Sequence, residues 1–86
     1  MIAIQEAHRL RASLRSLRAH DALVDAELLL KALAREDLAN AAAALHRIDT
    51  QLPQGALAAL VRVRIRGLAG MVAAMQDDSS TPPPAA

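Results

Sequence analysis

Residues 22–55 read ALVDAELLLKALAREDLANAAAALHRIDTQLPQG, and where this stretch divides decides the fold. Asp37 is the dividing residue. Behind it come Leu38, Ala41, Ala42, Leu45, Ile48 and Leu52, apolar residues at the three-and-four spacing of one helix face, which makes Asp37 a natural N-cap. Pro53, with Gly55 close behind, closes that helix. Upstream, Asp21 offers a second N-cap, for a helix from Ala22 to about Arg35. Its apolar residues, Leu23, Val24, Leu28, Leu29, Leu30 and Leu33, cover more than half of the circumference, which predicts the most buried, central helix of the fold.

Working outward, residues 2–19 place Ala3, Ala7, Leu10, Leu14 and Leu17 in a narrow sector with Arg11, Arg15 and Arg18 along one flank, an amphipathic helix with a slim apolar stripe. Neither Gly nor Pro occurs between Ile2 and Leu52, so the bend before the second helix, expected near His20-Asp21, rests on capping alone. On the other side, residues 54–76 put Leu57, Leu60, Val61, Ile65, Leu68, Val72 and Met75 on one helical face. Val61-Arg62-Val63-Arg64-Ile65-Arg66 also alternates with the period of a strand, but the chain holds no second strand to pair with it, and helix is the reading. Residues 77–86, DDSSTPPPAA, hold three consecutive prolines and read as a disordered tail. The expected organisation is one helical domain over 1–76 followed by that tail.

Composition agrees with an all-α bundle of three or four helices. Of 86 residues 53% are hydrophobic and none is aromatic; Ala (21) and Leu (14) dominate, while Val and Ile, which strands favour, number four each. The absence of Cys excludes disulfide and thiolate chemistry, no apolar run is long enough to span a membrane, and the N-terminus lacks the pattern of a secretory signal. The expectation is a cytoplasmic protein without cofactor or metal. Charge is segregated: residues 1–20 carry four Arg and one Glu, residues 21–52 six acids and three bases, and residues 53–76 three Arg and no acid. Basic outer helices against an acidic middle pair favour that packing order.

Catalytic patterns are missing: no Ser in a Gly-flanked elbow, no HExxH, no Gly-rich phosphate loop. His8, His20 and His46 are single residues, none at the spacing that offers two ligands to one metal. Arg64 is the most informative position, because the periodicity sets it among Leu57, Leu60, Leu68 and Met71. Such a charge either snorkels to water or pairs with Asp25, Glu27 or a partner's carboxylate. Ala41-Ala42-Ala43-Ala44 leaves a face smooth enough for close helix packing, and Gly67 and Gly70 either permit another close approach or weaken the last helix.

The stretch 22–55 resembles one tetratricopeptide repeat, two antiparallel helices in about 34 residues. Ala41 matches the small position early in the second helix, Leu45 the large apolar one, Ile48 the position usually held by Ala, and Pro53 the closing proline, with Arg35-Glu36-Asp37 at the turn. The departures are Leu29 where a small residue would let the helices close, Glu36 where Gly is common, and Arg62 and Arg66 where a second repeat would be apolar. The resemblance spans 34 of 86 residues and implies a helical groove or face that binds another protein's helix. In size and general pattern the chain also resembles small all-helical chaperones of bacterial secretion and flagellar export systems.

These observations converge on a non-enzymatic protein-binding module: an adaptor, a co-chaperone or a subunit of a small complex. Leu57, Leu60, Val61, Ile65, Leu68, Val72 and Met75 form its expected contact face with Arg64 setting specificity, while Leu23, Leu28, Leu30, Leu33, Leu38, Leu45 and Ile48 form the expected core. One rival is a nucleic-acid-associated regulator with Arg9, Arg11, Arg15, Arg18, Arg62 and Arg66 on phosphates, whose binding would fall steeply with salt. Another is a homodimer in which the same apolar face closes on its two-fold mate.

Overall fold

The computed structural model describes residues 2–80, with side chains as far as Asp77. Helices α1 (Ile2–Ser16), α2 (His20–Ala34), α3 (Leu38–Gln51) and α4 (Ala56–Ser80) follow one another through connections of three or four residues, too short for anything but antiparallel neighbours. Helix α1 packs on α2 and α4, and α3 packs on α2 and α4, while the backbones of the diagonal pairs α1/α3 and α2/α4 do not approach closely. The four helices therefore close a ring. The alternating stretch 61–66 lies inside α4 as helix.

Two turns share one geometry. After α1, Arg18 adopts a left-handed φ of 57°, the Ala19 N–H donates to the Leu14 carbonyl and the Arg18 N–H to the Arg15 carbonyl. After α2, Glu36 has the same φ of 57°, with Asp37 N–H to Ala32 and Glu36 N–H to Leu33. Both are Schellman endings with a non-glycine residue at the left-handed position. The first bend falls at residues 17–19 rather than at His20-Asp21. Because the Schellman turn stops α1 three residues early, α2 begins at His20 and Asp21 lies in its first turn instead of capping it. Asp37 is the N-cap of α3, as its spacing predicts: its side chain accepts from the Asn40 N–H at 3.3 Å. Leu52, extended before Pro53, ends α3, and the Gly55 carbonyl accepts the Ala59 N–H to start α4.

The core is lined by Ala3, Ala7, Leu10 and Leu14 of α1, Ala26, Leu29 and Leu33 of α2, Ala41, Ala44, Leu45 and Ile48 of α3, and Val61, Ile65, Leu68 and Val72 of α4. Alanine on three of the facing stripes lets the helix axes approach closely. Helix α2 carries the most buried residues of the four, Ala22, Asp25, Ala26, Leu29, Ala32 and Leu33, but it is not central: in a closed ring every helix has two neighbours, so its wide leucine face spills into solvent, with Val24 64% and Leu28 44% exposed and Leu23 and Leu30 half-buried. Of the expected core, Leu33, Leu45 and Ile48 are fully buried and Leu38 partly. Helix α4 continues through Asp77-Asp78-Ser79-Ser80, past the expected boundary at 76, since nothing before Pro82 breaks it. The remainder of the expected tail, residues 81–86, lies outside the described residues.

Ion pairs follow the charge segregation. Arg11 of α1 meets Glu27 of α2 at 2.8 Å and Arg62 of α4 meets Asp49 of α3 at 3.6 Å, each joining a basic outer helix to the acidic hairpin. These pairs are partly exposed and worth about 0–1 kcal/mol each, so they select the packing order more than they hold it.

Candidate functional site

Among the expected contact residues the structure separates two groups. Val61, Ile65, Leu68 and Val72 point into the bundle and are buried, and Met75 is half-buried against its edge. Leu57 and Leu60 are 65% and 64% exposed, and Arg64 is about half exposed. The spacing explains the division. Ala58, Val61, Ile65, Leu68 and Val72 alternate steps of three and four and fill the inward stripe, so the helix buries Ala58 and leaves the larger Leu57 and Leu60 outside. The face expected from spacing lies slightly too far round the helix, so that it takes in Leu57 and Leu60 at its edge and misses Ala58.

Leu57, Leu60 and Arg64 border a depression between α1 and α4, with Ser13, Ser16 and Leu17 on the α1 side and Val63 beside them. Val63, which is not on the expected helical face, is 65% exposed. Further along the same side, Ile2 and Ala3 face Met71 and Met75 across a second apolar depression. The hydroxyls of the first depression are committed to backbone: Ser13 Oγ donates to the Arg9 carbonyl at 3.1 Å and Ser16 Oγ to Ala12 at 3.2 Å. Arg64 Nη1 stands 3.9 Å from Glu6 Oε2 of α1. Asp25 and Glu27, two of the alternatives open to Arg64, are instead taken by Arg47 and Arg11.

Asp25 is the buried charge among the described residues. Its carboxylate, on the inner side of α2, accepts from Arg47 Nε at 2.9 Å and from the Gln51 side chain, both on α3. Burial raises its pKa, but the two hydrogen bonds and the Arg47 charge together outweigh that and hold the carboxyl below its usual range. A carboxylate kept ionised by two fixed donors is a clasp between α2 and α3, not a proton carrier. A shallow notch on the same hairpin sets Lys31, Arg35 and Arg47 around Asp37 and Asn40.

His8, His20 and His46 lie exposed on three different helices, and among the described residues no three His, Cys, Asp or Glu come together as a metal site. No described helix is long and apolar enough to cross a membrane. Arg11 pairs with Glu27 of α2, Arg62 with Asp49 of α3 and Arg9 with Glu6, so three of the six arginines of the nucleic-acid reading are engaged by acids of the bundle itself. Gly67 and Gly70 are exposed, and a Cβ on either would meet nothing within 4 Å. Comparison with protein-family models, with curated protein sequences and with solved structures finds no match, so the functional reading rests on this geometry.

Proposed function

We propose that this protein is a non-enzymatic protein-interaction module, an adaptor, co-chaperone or subunit of a small complex, that holds a partner on the solvent side of α4. One observation carries the reading. Leu57, Leu60 and Val63 are each about two-thirds exposed on two turns of one helix, although the inward stripe of that helix already completes the core. Scattered surface leucines are ordinary, but three adjacent large apolar residues edged by Leu17 and a single Arg make a patch of the kind that meets another protein. The pairing of Arg9, Arg11 and Arg62 with acids of the bundle weighs against a phosphate backbone as the partner, because such binding needs its arginines free on one surface.

The likeness of residues 22–55 to a tetratricopeptide repeat belongs to the same proposal. Helices α2 and α3 form an antiparallel hairpin with Ala41 and Leu45 buried, and Glu36 occupies the left-handed turn conformation that Gly favours, which supports that likeness. The reading is tested by a photo-crosslinking residue placed at Leu60 and, as a control, at the exposed Ala43 on α3, in cells that make the protein. A discrete adduct with another protein from position 60 and not from 43 is expected; no adduct from 60, or equal adducts from both, overturns it.

A further inference from the structure

Helix α4 carries a second set of residues at alternating steps of four and three. Ala56, Leu60, Val63, Gly67, Gly70 and Ala74 all lie exposed along the side turned away from the bundle. The same spacing, in Ala58, Val61, Ile65, Leu68 and Val72, buries the inward side. One seam is filled and the other is bare. A sustained four-and-three repeat is the pattern of a helix that packs lengthwise on another helix. The bare seam is wide at Leu60 and Val63 and narrow at Gly67, Gly70 and Ala74, where open space over both glycines admits large side chains close to the backbone.

Charge identifies what fits there. Arg64, whose guanidinium lies 3.9 Å from Glu6 of α1, and Arg66 border the seam on its two sides, both exposed, and α4 itself has no acid before Asp77. A second copy laid on this face would bring Arg64 and Arg66 against their own counterparts, with no acid of either α4 between them. Like charges along the edges of a helix seam select against such pairing, whereas acidic edges select for it.

We propose that the outward seam of α4 docks an amphipathic helix of another protein, one with large apolar residues over Gly67 and Gly70 and with Asp or Glu along its edges to meet Arg64 and Arg66. The proposal rests on the protein-binding reading above and adds the face and the class of partner.

The chain has no Trp, Tyr or Phe, so the fluorescence of a single Trp in an added peptide reports on the peptide alone. Two helical peptides of about 20 residues, the length that spans the seam, are titrated with the full chain. Both carry the same Leu seam, one with Glu and the other with Lys along its edges. The Glu peptide should bind about 10-fold tighter or more, with the difference shrinking as salt rises. Arg64→Glu with Arg66→Glu should reverse the preference, and Val63→Glu, with circular dichroism unchanged, should abolish binding of either peptide. Equal binding of the two peptides overturns the acid-edged partner but leaves the protein-binding reading standing. Binding that survives Val63→Glu overturns the seam, as does failure of both peptides to bind. A doubled mass of the chain alone, restored to monomer by Val63→Glu, assigns the seam to a second copy and overturns the proposal as well.

Discussion

Replacing Gly67 and Gly70 together with alanine should stabilise the isolated chain. Both residues lie in the interior of α4 with ordinary helical backbone, and an added Cβ at either would touch no atom within 4 Å. Neither strain nor a clash opposes the change, so what remains is the conformational freedom that glycine gives the unfolded chain, about 0.5–1 kcal/mol per site. The pair is then worth roughly 1–2 kcal/mol. In a domain of this size each kcal/mol shifts Tm by about 4–8 °C, so the double variant should melt roughly 4–16 °C higher. Gly55 supplies the internal control. A Cβ there also meets nothing, but its φ is +139°, a conformation closed to alanine, so Gly55→Ala should lower stability by about 1 kcal/mol or more. The assay is a thermal melt followed by circular dichroism, with all variants at one concentration. A double variant that melts at or below the wild-type temperature would refute the reasoning, because something would then be pressed against those glycines in the isolated chain.

Other consequences follow from particular residues. Arg18→Gly and Glu36→Gly each remove a left-handed non-glycine residue from a Schellman turn and should each raise stability by up to about 1 kcal/mol in urea titration; a loss would mean that the side chain outweighs the strain. Leu33→Ala should cost about 2–5 kcal/mol, most of what a core of this size supplies, and leave the chain largely unfolded at 25 °C, whereas Leu28→Ala, on the same helix but 44% exposed, should cost less than about 1 kcal/mol. The Asp25 carboxyl has a lowered pKa in the fold, so the folded state takes up its proton less readily than the unfolded one. Its contribution is complete above the unfolded pKa of about 3.9 and is lost as pH falls through the lower folded value. Melts taken from about pH 5 down to about pH 2 should therefore fall less steeply for Asp25→Asn than for the wild type; parallel curves would contradict the clasp.

The elements were legible in the sequence where period and capping agreed. The α1 stripe of Ala3, Ala7, Leu10 and Leu14, and the Asp37 cap with Leu45 and Ile48 behind it, appear in the fold as their spacing predicts. Legibility failed where the expected face lay slightly too far round the helix. That face takes in Leu57 and Leu60 at its edge and misses Ala58, yet the buried three-and-four stripe runs through Ala58. It failed again at Val24 and Leu28, because how much of a helix is buried depends on how many neighbours it has, and a closed ring of four is a tertiary property that no single segment records. The partner of Arg64 was missed for the same reason: Glu6 reaches it only because α4 returns alongside α1. The outward seam, by contrast, is present in the spacing from Ala56 to Ala74 throughout; it is hidden because four of its six residues are Gly or Ala and Val63 alternates with arginines.

The central claim is that the four helices complete their own core and leave the outward side of α4 for a foreign partner. The most direct check is the mass in solution and the thermal melt of the wild type and of Val63→Glu across a range of concentrations. The account predicts a 9.1 kDa monomer with a concentration-independent melt, and a Val63→Glu variant that melts within about 4 °C of it, as an exposed substitution should. A wild type whose mass and melting temperature rise with concentration, and whose cooperative melt is lost on Val63→Glu, would contradict it, since the seam would then be part of the fold itself.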